Sequence, residues 1–173
     1  MLPEVANYLD RMEGLRKQVR ELISSAPAEA LNWRPIEDDG DHATNSLAVM
    51  AAHVAGAEHH WYHEVIGRQP ATRQRELEFK TVAENAAGLV ESLAFNAEES
   101  QRILATLSAE DLDGTREVDG HNVPVRWAIL HVIDHTALHL GHMPITYQLW
   151  NSGQALTAPR WFQRLPGRPA AAQ

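Results

Sequence analysis

Residues 131–142, HVIDHTALHLGH, contain four of the ten histidines of this chain. They are His131, His135, His139 and His142, spaced by four, four and three residues. Each residue of an α-helix advances about 100° around the axis, so the four rings lie on one narrow stripe of a helix. Such a stripe can bind a metal ion, carry protons or pack against a neighbouring helix. Residues elsewhere in the sequence are needed to choose between these three roles.

The histidine stripe belongs to the last of four long amphipathic helices that the apolar spacing predicts. No convincing alternating strand accompanies them. The predicted helices run from about Pro3 to Ile23, from a cap at Asn45 or Ser46 to about Ile66, from a Thr81–Glu84 capping box to about Leu107, and from Pro124 to about Trp150. We therefore expect an all-α four-helix bundle over residues 1–153, followed by an irregular C-terminal tail over residues 154–173.

Segments rich in proline, glycine and charged residues connect the predicted helices. A short helical turn is expected around Glu29–Leu31 in the first connection and at Ala109–Leu112 in the third. The second connection, RQPATRQRELEFKT (residues 68–81), is predicted to be polar and irregular.

Composition narrows the classes of function. The formal charge is −8 and the pI is about 5.6, which disfavours nucleic-acid binding, since that needs a basic face. No apolar run approaches the ~20 residues of a membrane span, and the N-terminus does not resemble a signal peptide, so we expect a cytoplasmic protein. The chain has no cysteine. Any metal must therefore be held by histidine or carboxylate, and any thiol chemistry needs an external thiol.

The spacing of His135 and His139 is the one by which two imidazoles of one helix reach a single ion. Two ligands rarely complete a site, so a third is expected from a neighbouring helix. His53 lies on or beside the apolar side of the second helix and is the best candidate. Three buried imidazoles without partners are costly, whereas a metal satisfies all three at once. We expect a metal site at His53, His135 and His139.

The remaining histidines have other predicted roles. His59, His60 and His63, with Glu64, form either a solvated helix end near the mouth of the site or a second metal site, and the solvated end is favoured. His42 and His121 lie in connections and are expected to be solvated. Asp134 lies about 100° from the ligand stripe, so it is expected to be a solvated or interhelical carboxylate.

Two segments resemble the DinB/YfiT-like superfamily of metal-binding four-helix bundles: NSLAVMAAHVAGAEHHW (residues 45–61) and VRWAILHVIDHTALHLGH (residues 125–142). LNWRP at residues 31–35 also fits, and the second segment resembles the branch of mycothiol-dependent S-transferases and isomerases. The resemblance implies that His53, His135 and His139 bind a divalent metal and that His131 supports them. It also implies a homodimer formed through bundle helices.

This sequence departs from the family pattern near the end of the last helix. Many members carry an arginine where this chain has Gln148, and Pro144 interrupts the helical hydrogen bonding and should kink the helix beside the site. His142 follows Gly141, where the mycothiol-type branch has histidine. We take His142 as the candidate for proton handling, with simple hydrogen bonding to a neighbour as the open alternative.

Three histidines leave a coordination position open, which is typical of catalytic sites, and zinc or nickel is the expected metal. The open position activates either water, which gives a hydrolase, or an external thiol, which gives an S-transferase. The resemblance favours a transferase that joins mycothiol or bacillithiol to a small electrophile. A metal-dependent hydrolase and a non-catalytic stress-related metal-binding protein remain the alternatives.

Overall fold

The computed structural model describes residues 1–37 and 44–154. Its four long helices are α1 (Pro3–Ser25), α3 (Leu47–Glu58), α5 (Ala87–Leu104) and α7 (Val125–Trp150). The short helices are α2 (Ala28–Asn32), α4 (Arg75–Glu78) and α6 (Ala109–Asp113), and the strands are β1 (Thr115–Val118) and β2 (His121–Pro124). The predicted all-α bundle is confirmed, whereas the predicted tail and His42 lie outside the described residues.

Two helices begin at the capping residues or turns that the sequence predicts. The Ser46 hydroxyl accepts a hydrogen bond from the Val49 amide at 3.2 Å and caps α3, as predicted. Ser108 and Asp111 form a reciprocal capping box at α6, which confirms the expected turn in that connection.

The predicted capping box at Thr81 and Glu84 is wrong. The Thr81 hydroxyl donates to the Leu77 carbonyl at 3.4 Å, because residues 75–78 already form a helical turn. The start of α5 uses Asn85 instead, whose side-chain oxygen accepts from the Ala87 amide at 2.8 Å. The third long helix therefore begins several residues later than the sequence pattern predicts.

The connection before α7 contains a β-hairpin that the sequence analysis did not predict. Strands β1 and β2 pair antiparallel, with Val118 opposite His121. Asp119 and Gly120 form the turn, and both have positive φ, at 49° and 79°. Asp-Gly favours this turn because its twist matches that of the paired strands. The Asp119-Gly120 dipeptide indicates such a turn in the sequence. The flanking strands have only four residues each, too few for an alternating pattern to be recognised.

The second long helix changes its winding at its centre. Residues His59–Ile66 continue α3 as a π-helical segment, which ends at Gly67. The Tyr62 side chain is buried and its hydroxyl donates to the Ile129 carbonyl of α7 at 3.0 Å. The apolar periodicity correctly predicted where this helix ends, but the π-helical winding was not predicted. Short π-helical insertions are frequent at functional sites.

The core lies between α1, α3, α5 and α7 and forms two apolar clusters along the bundle. One buried ion pair crosses it: Arg16 Nε and Nη2 donate to Glu58 Oε2 and Oε1, both at 3.0 Å. The Ser100 hydroxyl of α5 also donates to Glu58. Within the described residues, no helix combines the length and the apolarity that a membrane crossing requires.

Candidate metal centre

Three helical histidines meet between α3 and α7. His53 of α3 is buried, and His135 and His139 of α7 are half-buried. One ring nitrogen from each lies within 4.8 Å of the others. His53 Nε2 and His135 Nε2 are 3.1 Å apart, and the His53 and His139 ring centres are 5.0 Å apart. The structure thus brings together the three residues that the sequence analysis selected as ligands.

A carboxylate that the sequence analysis missed contacts His53. His53 Nδ1 lies 2.8 Å from Glu78 Oε2 of α4. Burial alone would raise the pKa of Glu78, but hydrogen bonds from Arg73 and His53 outweigh it and lower that pKa below its ordinary value. The ionised carboxylate can only accept, so His53 Nδ1 donates, and in the neutral form of the ring Nε2 carries the lone pair. Sequence spacing gave no signal for Glu78, because it lies in a segment predicted to be an irregular connection.

His135 and His139 of α7 are held neutral by burial. Burial, with the neighbouring imidazoles of His139 and His53, lowers the pKa of His135 to about 3. Burial, with the imidazole of His53, lowers the pKa of His139 to about 4. Neutral imidazole is the form that binds metals, so the site is prepared to bind a cation without first releasing protons at neutral pH.

The geometry of the ring nitrogens fits a divalent metal. Two nitrogens bound at about 2.0–2.1 Å to a tetrahedral ion are about 3.3 Å apart, close to the 3.1 Å between the Nε2 atoms of His53 and His135. His135 Nδ1 and His139 Nδ1 are buried and have no hydrogen-bond partner among residues 1–37 and 44–154. An all-imidazole donor set suits zinc, nickel, copper or iron better than calcium or magnesium.

His131 and His142 flank the triad on α7 in different surroundings. The His131 ring stacks on Trp127, with ring centres 4.8 Å apart and planes 5° apart, and it packs edge-on against Trp61. His142 is exposed, and its ring centre lies 6.0 Å from that of His139. His131 therefore packs in an aromatic cluster, whereas His142 is free to meet a ligand that approaches from solvent.

Asp134 and Gln148 of α7, and His121 of β2, do not belong to the triad. Asp134 is exposed, as expected of a solvated carboxylate. The Gln148 side-chain amide donates to the Gly153 carbonyl at 2.9 Å, so it hydrogen-bonds to the end of its own helix. His121, at the hairpin turn, is exposed as expected.

The prediction of a solvated helix end at residues 59–64 is wrong for His63 and Glu64, which are buried within the π-helical segment. Burial, with the neighbouring imidazole of His59, lowers the pKa of His63 to about 4. Burial alone would raise the pKa of Glu64, but His60 and the amides of residues 72 and 73 lower it to about 2. In the part of the chain that the structure describes, the ligand atoms of this cluster do not converge as a second metal site.

A surface cleft of about 410 Å³ lies next to Glu78 and shares Arg73 and Gly56 with the surroundings of that carboxylate. Leu77 and Phe95, both exposed apolar side chains, also line it. None of the three converging histidines lines this cleft. On the α7 side of the triad, His135 and His139 are half-buried and His142 is exposed, so this side is partly open to solvent.

Comparisons with known proteins agree with this fold and point to one family. The sequence profile described as Mycothiol-S-transferase matches residues 7–149. A crystal structure described as a conserved protein from Enterococcus faecalis superposes with a TM-score of 0.66 at 15% identity, covering 88% of this chain and 99% of that chain. At that identity the likeness supports the fold alone. A search of curated proteins found no match. Because the profile spans nearly the whole bundle, this chain belongs to the Mycothiol-S-transferase family.

Proposed function

We propose that this protein is a metal-dependent S-transferase that joins a low-molecular-weight thiol to a small electrophile. The observation that carries the proposal is the convergence of three imidazole nitrogens within 4.8 Å, on a half-buried site that solvent can reach. Family membership supports mycothiol as the thiol, and bacillithiol has the same reactive group. The absence of cysteine agrees with a nucleophilic sulfur that arrives with the substrate.

In this proposal His53, His135 and His139 hold the metal, and zinc or nickel suits their donor set. The metal supplies a Lewis acid that lowers the pKa of a thiol and favours the nucleophilic thiolate at neutral pH. His135 and His139 reach the site as neutral ligands, because burial lowers the pKa of both rings. Three protein ligands leave a position open for the substrate.

His142 is the proposed proton acceptor. Its exposed ring lies beside His139, on the side from which a thiol approaches. In the transfer, His142 accepts the thiol proton, a sulfur–carbon bond forms at the electrophile, and the leaving group departs with its electron pair. Imidazole is the side chain that most often serves as a general base.

We also propose that the protein forms a homodimer through α7. Five large apolar side chains of this helix are exposed: Trp127, Leu130, Leu138, Ile145 and Leu149. At about 100° per residue they lie within an arc of about 100°, directly beside the histidine stripe. The exposed Asp134 and Gln148 lie in the same arc, so the face is mainly apolar with two polar residues in it, and exposed apolar clusters are typical of interaction surfaces. Pairing through it would bury these side chains and enclose one side of the metal centre.

The test is the conjugation of a small aryl halide to mycothiol, bacillithiol or glutathione, before and after chelation. Turnover that needs the thiol, disappears on chelation and returns with zinc or nickel supports an S-transferase. Hydrolysis of activated esters or amides without a thiol would replace the proposal with a metal-dependent hydrolase. A metal-loaded protein with no affinity for any of the three thiols would overturn it in favour of a non-catalytic metal-binding role.

A further inference from the structure

Glu78 is seated against a glycine of the helix that carries His53. Gly56 lies one turn after His53, and a Cβ atom at this position would approach the Glu78 Cδ atom to 2.6 Å, well inside any normal contact. No side chain other than hydrogen therefore fits at residue 56 while the carboxylate keeps its position. Glycine is otherwise unfavourable in the interior of a helix, by about 1 kcal/mol relative to alanine.

Arg73 fixes the same carboxylate from another side. Its Nε donates to Glu78 Oε1 at 2.6 Å, and its Nη2 donates to Glu78 Oε2 at 2.9 Å. This is the two-pronged geometry by which guanidinium fixes the orientation of a carboxylate. The pair is largely withdrawn from solvent, with 14% of the Arg73 side chain and 9% of the Glu78 side chain exposed.

The backbone of Arg73 is itself held by the π-helical segment. Glu64 Oε1 accepts from the amide of Arg73 at 2.7 Å and from the amide of Thr72. Glu64 Oε2 contacts His60 Nδ1 at 2.8 Å. The inward position of Glu64 thus determines where the segment before α4 lies, and with it where Arg73 meets Glu78.

We propose that Glu78 is a positioning residue for the metal centre, and that Gly56 and Arg73 hold it in place. By accepting from His53 Nδ1, it fixes the tautomer and the ring plane of His53 and directs Nε2 toward His135 Nε2. This inference rests on the proposed function in one respect, because it assumes that His53 is a metal ligand. The alternative is that Glu78 only ties α4 to α3 and has no effect on metal binding.

The first test measures the affinity of the metal-free protein for Zn²⁺ and Ni²⁺, in competition with a chromophoric chelator. Glu78→Ala and Gly56→Ala are expected to weaken binding about 10–100-fold, the usual effect of removing such a partner. Glu78→Gln keeps an acceptor oxygen, so its loss is expected to be smaller. Glu76→Gln is the matched control, since Glu76 lies on the same short helix with an 82% exposed side chain. Unchanged affinity in folded Glu78→Ala and Gly56→Ala overturns the inference.

A second measurement needs no metal. Long-range nitrogen–proton spectra of the metal-free protein at mildly alkaline pH are expected to show His53 protonated at Nδ1. In Glu78→Gln, where an amide can donate as well as accept, the Nδ1–H population is expected to fall; an identical spectrum overturns the inference. His53→Ala separates the two proposals: if it binds metal normally, the proposed function fails. If it loses metal while the Glu78 variants do not, only the positioning role fails.

Discussion

Removal of the Glu58 carboxylate should be one of the most destabilising single changes in this protein. Glu58 is fully buried, and its two oxygens accept from Arg16 and Ser100. Glu58→Ala leaves the Arg16 guanidinium, only 3% exposed, without its buried partner. Breaking a buried pair in this way costs about 3–5 kcal/mol. Arg16 keeps its contact with the half-exposed Glu13, so we expect a loss near the lower value, about 3 kcal/mol.

The assay is urea denaturation of the metal-free protein, monitored by circular dichroism. Glu13→Ala is the matched control, because it removes the half-exposed carboxylate that pairs with both Arg16 and Arg20 and should cost only about 1 kcal/mol. A double variant, Arg16→Met with Glu58→Met, should recover most of the stability, since apolar replacement of a whole buried pair is often neutral or better. If Glu58→Ala costs no more than Glu13→Ala, the reasoning about this buried pair is refuted.

Three further predictions concern acid stability, catalysis and assembly. The folded-state pKa of His135 is about 3 and that of His63 is about 4, both below the ordinary 6.5. Because the unfolded chain then binds more protons, the metal-free protein should lose stability as the pH falls from about 6.5 to 4; equal urea midpoints at pH 7 and pH 5 would contradict this. His142→Asn should keep the metal content but slow thiol conjugation at least 10-fold in steady-state kinetics, and an unchanged rate removes His142 from the mechanism. Leu138→Glu should convert a dimer to a monomer in sedimentation velocity, and a monomeric wild-type protein would exclude the proposed interface.

Local features that depend on the nearby sequence were well predicted. Apolar spacing indicated the four long helices, and the Ser46 cap was visible as a polar residue before an apolar run. The three converging histidines were also predictable, because helical geometry places His135 and His139 on one face and His53 lies on an apolar face of another helix. For the helices and the cap, the information lies within a few residues of the feature; the pairing of His53 with His135, 82 residues apart, followed instead from the cost of burying imidazoles without partners.

Other features that depend on contacts between distant segments were missed. The π-helical segment that contains the buried His63 also makes the hydrogen bond between Tyr62 and Ile129, which are 67 residues apart. Glu78 reaches His53 across 25 residues and only because Gly56 leaves room for it. No periodicity in the sequence reports such contacts. The hairpin is a different case. The Asp119-Gly120 turn is a local sequence signal, but the two strands are too short to show an alternating pattern.

The metal content of the purified protein tests the central claim most directly. Wild type, His53→Ala, His135→Ala and the exposed control His121→Ala should be prepared without a histidine tag and analysed for divalent metals by elemental analysis. We expect about one metal ion per chain in the wild type and in His121→Ala. We expect little or none in His53→Ala and His135→Ala, each of which removes one of three ligands. The same metal content in all four proteins would contradict a metal centre at these histidines.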